Sequence, residues 1–253
     1  MVYSKTGQIT MFVIVGLLSI VTIALVLFLF NDTKIAPMES QKTKTQDITT
    51  MSSPVTNFVH SCITNTGKED ILFIANQGGY YEFPKDVEQY LTVPYYMKQN
   101  VKMVPPVYVV EEQLSQYMDE QLFFCLQNFA AFESIHVEQG DTKTKTEITS
   151  TSVRFEVNLP LRVQEDVLEK YYDTFSIELP SSLGTLHASS LTFVNAEEQD
   201  ALCISCLTTL AINHGFRAVV SPVENNVVSF SLIDEQSNLE YNFLSEYRFE
   251  EKE

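Results

Sequence analysis

The 253-residue chain is poor in the residues from which catalytic and cofactor-binding motifs are built. It has no tryptophan, four histidines and eight glycines. The histidines form no H-E-x-x-H pair, which removes the signature of zinc proteases. The glycines form neither G-x-S-x-G, nor a Walker phosphate loop, nor G-x-G-x-x-G, which removes the local signatures of serine hydrolases and nucleotide-binding folds. The sequence therefore predicts no catalytic residue, no metal and no cofactor.

Basic residues are also scarce. The chain has 16 lysines and arginines against 33 acidic residues, a formal net charge of −17. Only four of the basic and three of the acidic residues precede Pro54, so the part after it carries 30 acidic and 12 basic side chains. A surface of that sign repels phosphate backbones and anionic lipid headgroups. A nucleic-acid partner is therefore not expected.

The one long uncharged segment is Thr10–Phe30, 21 residues that follow a short flank at 1–9. At about 1.5 Å per residue, such a helix crosses a bilayer core of roughly 30 Å. No small-x-small cleavage site closes it, so we interpret it as an uncleaved signal anchor. Lys5 gives a slight bias toward an N-terminus inside. The sequence thus predicts a single-pass protein of the cell membrane with its C-terminal domain outside.

A polar stalk is predicted for 31–54, whose Thr, Ser, Lys and Gln residues cannot bury enough surface to offset chain entropy. The domain after it is predicted to be α+β, with helix pairs packed on antiparallel sheets. A rhythm of two helices and three strands occurs in 55–163 and again in 164–253, which suggests two similar halves without residue-level identity.

Periodicity places the elements within these halves. Strict alternation from Val153 to Val163 predicts a half-buried antiparallel strand. Helical spacing of apolar residues is found in 55–75, with an interruption at Gly67, and in 111–132, 181–195 and 196–214. The acidic pairs Glu111-Glu112 and Glu197-Glu198 then fall in first helical turns, where we interpret them as solvated residues that suit the helix dipole.

Four cysteines form two candidate pairs. Cys62 and Cys125 lie on the apolar faces of two predicted helices, and an oxidising exterior favours a disulfide between them; two buried thiols are the alternative. Cys203 and Cys206 form a C-x-x-C that the predicted helix 196–214 places in a helix interior. There it lacks the amide donors that activate a redox site at a helix start, and it lacks further zinc ligands. A local disulfide or two buried thiols is expected.

The segment 80–108 is rich in tyrosine and proline and has little periodicity. Its rigid amphipathic rings make it a candidate binding surface for a protein or sugar, with packing into the core as the alternative. Gln77-Gly78-Gly79-Tyr80, just before it, is interpreted as a chain reversal rather than a ligand loop. The tyrosines of the candidate surface are Tyr80, Tyr81, Tyr95, Tyr96 and Tyr108.

Two resemblances concern the N-terminus and the domain. Lys5-Thr6-Gly7-Gln8-Ile9-Thr10 resembles the class III signal of archaeal pilins, which is cut after the glycine, although Phe12 stands where pilins usually carry Glu. Further stretches are distinctive: FVHSCI at 58–63, QGGY at 77–80, PYY at 94–96 and FCL at 124–126. Through them most of the chain resembles a family of uncharacterised single-span membrane proteins from small-genome archaea of the nanoarchaeal and woesearchaeal kind. The resemblance implies membrane anchoring and an archaeal source, and it implies no activity.

Together these patterns predict a membrane-anchored cell-surface protein whose domain binds a protein or envelope partner, or contributes to envelope structure, without enzymatic activity. Two alternatives stay open at this point. One is a pilin-like subunit of a surface filament. The other is an envelope-bound hydrolase or thiol oxidoreductase whose site is assembled from residues distant in sequence.

Overall fold

The computed structural model describes residues 54–165, 168–198, 201–224 and 226–248. The predicted membrane helix, the class III signal and the stalk up to residue 53 lie outside these residues. Within the described ranges, no helix has both the length and the apolar character required to cross a membrane. The described residues belong to one compact unit, Met51–Glu253.

Four helices, one 3₁₀ turn and ten strands make up the described residues. The helices are α1 Pro54–Asn76, α2 Val107–Leu126, α3 Leu183–Ala196 and α4 Ile204–His214, and the 3₁₀ turn is Gln127–Phe129. The strands are β1 Gln89–Tyr90, β2 Val93–Lys98, β3 Val101–Lys102, β4 His136–Gln139, β5 Lys143–Ile148, β6 Ser152–Glu165, β7 Leu168–Pro180, β8 Arg217–Glu224, β9 Val227–Asp234 and β10 Leu239–Glu246.

Helix α1 is continuous, and the predicted interruption at Gly67 was wrong. Gly67 is in the helix because it faces the core at close range. A Cβ there would lie 3.0 Å from Leu179 Cδ1 and 3.1 Å from Phe155 Cε2. The glycine therefore serves close helix-to-sheet packing and does not break the helix.

Helix α2 begins and ends earlier than predicted. It starts directly after Pro105-Pro106, and Pro106 supplies an extended N-cap. It ends at Leu126 because the next three residues have positive φ angles of 45°, 50° and 60°, which a helix cannot contain. The apolar spacing to Phe132 continues through these residues, so periodicity alone extended the predicted helix too far.

The strands form two sheets. The first has the order β1-β2-β10-β9-β8, with β3 also paired to β2; its pairs are antiparallel except β2 with β10, which is parallel. In the second sheet, β7 pairs along nearly all of β6, while β4 and β5 pair with different parts of β6. The residues of β6 alternate between buried and exposed from Val153 to Val163, as predicted.

The predicted α+β class is confirmed by this arrangement of four helices and two sheets. Each sheet combines strands from both sides of residue 163, because β6 and β7 form one antiparallel pair and β2 joins β10. A single hydrophobic core includes residues of both segments. The similarity of the two halves stays a prediction.

The Gln77-Gly78-Gly79-Tyr80 segment forms the predicted chain reversal at the end of α1. Both glycines have positive φ, 56° and 88°, and the Gly79 N–H donates to the Ile74 carbonyl at 2.8 Å. Tyr96 stabilises the turn. Its hydroxyl donates to the Gly78 carbonyl at 2.8 Å and lies 2.6 Å from the Tyr241 hydroxyl. These tyrosines join the turn to β2 and β10 through a buried polar contact.

Asp70 is the unexpected member of the core. It lies on the buried stripe of α1 between Gly67 and Ile74 and is 0 % exposed. Neither carboxylate oxygen has a hydrogen-bond partner among the described residues. Burial raises the pKa of Asp70 well above its usual value, so the core favours the neutral form of this carboxyl.

We expect Asp70→Asn to stabilise the domain at pH 8 by at least about 1.4 kcal/mol, the free energy of a tenfold difference in proton affinity between the folded and unfolded states, because the amide does not titrate. The sign follows from linkage. Because the pKa of Asp70 is higher in the folded than in the unfolded state, this group stabilises the folded domain at low pH, and the stabilisation is lost as the pH rises through the folded-state pKa. Asn titrates in neither state, so the difference between variant and wild type should shrink as the pH is lowered toward 4.

The measurement is urea unfolding of the full-length protein in lipid nanodiscs at several pH values. Glu69→Gln is the matched control, because it removes a carboxylate from the exposed neighbouring position. Its effect should stay within about 0.5 kcal/mol at every pH. An equal response of the two variants to pH would contradict the assignment of a neutral, buried Asp70.

Candidate binding surface

The five tyrosines of the candidate surface do not lie together. Tyr80 and Tyr96 are buried in the core at 4 % and 0 % exposure, so the prediction that they contact a partner needs correction. Tyr96 is buried on β2 next to the buried Met97, and its ring stacks on Phe243 with ring centroids 4.8 Å apart. Tyr95, on the opposite face of the strand, is partly exposed with Lys98 over its ring.

The other two candidate tyrosines lie beside α2. Tyr81 is partly exposed at the loop after α1, and Tyr108 is 60 % exposed in the first turn of α2. The loop that carries Tyr81 is fixed by one side chain, since Gln113 Oε1 accepts hydrogen bonds from the backbone N–H groups of Tyr81 and Glu82 at 2.7 and 2.9 Å. The position of the Tyr81 ring is therefore set by α2.

Three rings meet at this place, and we name Phe73, Tyr81 and Tyr117 the aromatic cluster. Their centroids are 5.1 to 5.9 Å apart, and Tyr81 meets both other rings edge to face. These are the separations and the geometry that aromatic pairs favour. Phe73 is 41 % exposed, so the cluster offers apolar ring surface to solvent from a rigid position between two helices.

Next to the aromatic cluster, α2 and β5 border an open groove of about 620 Å³, which we name the acidic groove. Tyr108 lies at one end. The lining includes two lysines of β5 and four carboxylates of α2: Glu111, Glu112, Asp119 and Glu120. The four acids recur at helical spacing along one side of α2, so the groove is acidic over its length.

Glu120 belongs to both features. Its Oε2 accepts a hydrogen bond from the Tyr81 hydroxyl at 2.9 Å, and its Oε1 accepts one from Gln116 Nε2 at 3.0 Å. Burial raises the pKa of the Tyr81 hydroxyl; the hydrogen bond from Gln121 opposes this shift and the bond to Glu120 adds to it, so the hydroxyl stays protonated and donates to the carboxylate. The aromatic cluster and the acidic groove are therefore one continuous surface.

The acidic groove is only partly neutralised. Lys143 Nζ lies 3.9 Å from Asp119 Oδ2, and the lysine is largely exposed. Burial is the main reason that the pKa of Asp119 is raised, with Lys143 and Thr144 acting in the opposite direction. Glu111 already accepts a hydrogen bond from the Ile148 N–H at 2.9 Å, which ties α2 to β5. Glu112 and Glu120 are exposed to solvent and available to a ligand.

The two cysteine pairs are in contrasting places. Cys62 of α1 and Cys125 of α2 lie at disulfide-bonding distance with Cα atoms 5.6 Å apart, and Cys62 is 1 % exposed. Cys203 and Cys206 also lie at disulfide-bonding distance, with Cα atoms 5.3 Å apart. The placement of this second pair in a helix interior was wrong, since Cys203 is the N-cap of α4 and Cys206 is in its first turn.

The interpretation of Glu197 as a solvated first-turn residue was also wrong. Glu197 follows the last residue of α3 with extended backbone angles and is 2 % exposed. One carboxylate oxygen accepts from the Cys203 N–H and the other is bonded by the Tyr247 hydroxyl. Burial raises the pKa of this carboxyl, against the effect of these two donors. This carboxylate therefore links the end of α3 to Cys203 and to Tyr247.

No cofactor or metal was expected from the sequence. In 54–248, apart from the gaps given above, no group of three or more histidine, cysteine or acidic side chains is arranged to hold a metal ion. The structure brings together two sets of functional groups, which are the mixed aromatic and acidic surface on α2 and the partly exposed cysteine pair at the start of α4.

Most of the surface on α2 could not be predicted from the sequence. Phe73 and Tyr117 carry no distinctive sequence signal, because single aromatic residues are common on the partly exposed sides of amphipathic helices. A signal was present in α2, where Gln113, Tyr117 and Gln121 recur at intervals of four residues and therefore share one side of the helix. That side meets α1 and the loop carrying Tyr81.

Comparison with known proteins adds no further constraint on this surface. No protein-family model, no curated protein and no solved structure matches the chain.

Proposed function

We propose that the protein is a single-pass membrane protein displayed on the cell surface, and that its domain binds a basic segment of another protein through the surface on α2. The anchor is Thr10–Phe30, with the N-terminus inside. The observation that carries the binding proposal is the junction at Glu120, where partly exposed aromatic rings and the carboxylates of α2 form one surface.

The chemistry of this surface favours a cationic polypeptide. Lysine and arginine side chains pair with carboxylates, and their cations and alkyl stems pack on aromatic rings. The aromatic cluster and the acidic groove offer both kinds of contact side by side. The strongly negative domain adds long-range attraction for a basic partner and repels acidic ones.

The rigidity of the surface supports binding as well. Tyr81 is held by Gln113, Glu120 and Gln121, and α1 and α2 are joined at Cys62 and Cys125. A surface that is ordered before binding loses less conformational entropy when the partner docks. The proposed role is therefore recognition by a preformed surface.

We test this with a photo-crosslinking amino acid placed at Gln116 in the acidic groove of the full-length protein, in the cells that make it. Irradiation should crosslink the chain to another protein, and mass spectrometry of the adduct should place the crosslink beside lysine or arginine residues of that partner. The same amino acid at Tyr171, which is 66 % exposed on β7, should give at least fivefold less adduct.

Charge reversal separates the proposed contact from chance proximity. Glu112→Lys should lower the yield from position 116 at least threefold, because it opposes a basic partner in the groove. Glu133→Lys is the matched control, an exposed site in the connection between α2 and β4 where the net charge changes equally. Equal yields from the two variants, or adducts lacking basic residues, would contradict the proposed function.

A further inference from the structure

The cysteine pair at the start of α4 has a local geometry that the sequence pattern did not reveal. Cys203 is the N-cap residue, and its Sγ accepts a hydrogen bond from the Cys206 N–H at 3.2 Å. The Ser205 hydroxyl lies 3.5 Å from the same sulfur. Amide donors and the positive end of a helix dipole stabilise a thiolate at such a position. The structure thus provides for negative charge on Cys203 once the pair is reduced.

Both sulfurs of this pair are accessible, whereas only one of the other pair is. Cys203 and Cys206 are both partly exposed; in the other pair Cys125 is partly exposed and Cys62 is 1 % exposed. Between the two cysteines, Ile204 is 50 % exposed and Ser205 is exposed. A half-exposed isoleucine beside a disulfide gives an apolar contact for a polypeptide that approaches the sulfurs.

The two sulfurs are not equivalent. The Cys206 side chain packs against the hydrophobic core, while Cys203 precedes the first helical residue. The Cys203 backbone is fixed by the buried Glu197, whose Oε1 accepts from the Cys203 N–H at 2.8 Å, and Glu197 is itself bonded by the buried Tyr247 hydroxyl. This network, spread over 50 residues of sequence, holds the outer cysteine at the helix start.

We propose that the Cys203–Cys206 pair is a thiol–disulfide exchange site that oxidises pairs of cysteine thiols in another protein, with Cys203 carrying the mixed disulfide. The activity goes beyond the proposed binding function and does not depend on it, since it uses α4 and its neighbours and not the surface on α2.

The exchange is balanced without any further reactant. A thiolate of the partner attacks Cys203 Sγ, the bond between the two sulfurs breaks, and Cys206 leaves as a thiolate that takes up a proton. The second partner thiol loses its proton and attacks the partner sulfur of the mixed disulfide, which releases Cys203 as a thiolate. The two partner thiols lose two electrons and two protons in all; the C-x-x-C pair gains the two electrons and the proton taken up by Cys206, and the other proton goes to solvent while Cys203 stays a thiolate.

The test uses the oxidised full-length protein in lipid nanodiscs and, as probe, a reduced synthetic peptide with two cysteines at pH 7. Samples are quenched with acid, and mass spectrometry follows each cysteine separately. We expect the Cys203–Cys206 disulfide to be reduced at least tenfold faster than the Cys62–Cys125 disulfide of the same molecule, with one peptide disulfide formed per chain. Equal rates for the two pairs would overturn the proposal.

A trapping variant tests the assignment of roles. Cys206→Ser leaves the outer cysteine alone, and this variant should form a stable mixed disulfide with the disulfide-linked dimer of a single-cysteine peptide, releasing one peptide thiol, at least tenfold faster than Cys203→Ser does. Faster trapping by Cys203→Ser would overturn the assignment of the mixed disulfide to Cys203. The comparison of the two disulfides in the unmodified protein remains decisive even when a variant does not fold.

The role of Glu197 is tested by rescue. Glu197→Ala should slow the exchange at Cys203 at least fivefold, because the Cys203 N–H loses its acceptor. Glu197→Gln keeps an acceptor oxygen at the same place and should restore the rate to within twofold of the unmodified protein. Unchanged exchange in Glu197→Ala would remove Glu197 from the site.

Discussion

Removal of the link between Cys62 and Cys125 should lower the free energy of unfolding by about 4 kcal/mol. The two residues are 63 positions apart, so a disulfide closes a long loop in the unfolded chain. In the chain-entropy model the stabilisation grows with the logarithm of loop length. The double variant Cys62→Ala/Cys125→Ala removes the link, and urea unfolding of the full-length protein in nanodiscs, followed by tyrosine fluorescence, measures the loss.

The second cysteine pair supplies the control. Cys203 and Cys206 are three positions apart, so the same model gives about 2 kcal/mol for their disulfide. Cys203→Ser/Cys206→Ser should therefore lose about half as much stability. Equal losses would contradict a loop-entropy origin, and an unchanged stability in Cys62→Ala/Cys125→Ala would show that those thiols are not bonded.

Gly78→Ala should be the most harmful small substitution in the chain-reversal turn, with an expected loss of about 2–5 kcal/mol. The positive φ of 56° contributes about 1–2 kcal/mol for a residue with a Cβ. The new Cβ would also lie 2.5 Å from the Asn242 carbonyl oxygen and 2.6 Å from Pro94 Cγ. Because a backbone atom and a ring must move, overpacking adds about 1–3 kcal/mol.

Gly215→Ala separates the two contributions. Gly215 ends α4 with a φ of 72°, and a Cβ there would meet no atom within 4 Å. Only the conformational part remains, about 1–2 kcal/mol. The same urea titration compares the two variants. Equal losses would mean that the turn after α1 does not pack closely against β2 and β10.

Local patterns in the sequence were sufficient to predict much of the fold. The alternation in β6 was recognised because one face of this strand packs on the helices and the other meets solvent. The turn at Gly78-Gly79 was recognised because two adjacent glycines after an apolar helix are typical of a chain reversal. Both features depend only on neighbouring residues, which a single sequence displays directly.

Contacts between distant segments could not be predicted from the sequence. The parallel pairing of β2 with β10 and the hydroxyl contact of Tyr96 with Tyr241 join residues about 145 positions apart. The segment 80–108 has no clear period, so nothing in it distinguished the buried Tyr96 from the exposed Tyr108. The burial of Tyr96 depends on contacts of β2 with a distant strand, which the local sequence does not show.

The start of α4 shows how a polar residue can override apolar spacing. Apolar spacing favoured one helix over 196–214, which would have buried the C-x-x-C in a helix interior. Instead Glu197 takes an extended conformation, and its carboxylate is bonded by the Cys203 N–H and the Tyr247 hydroxyl. The partner Tyr247 lies 50 residues further on, so the interruption could not be predicted from the local sequence.

The display of the domain on the outer face of a membrane is tested most directly by adding protease to intact cells that make the full-length protein. We expect cleavage within 31–54, release of the domain into the medium, and retention of Thr10–Phe30 in the membrane pellet. Complete protection of the chain in intact cells, or its recovery in the aqueous fraction after lysis without detergent, would contradict the proposed anchoring and surface display.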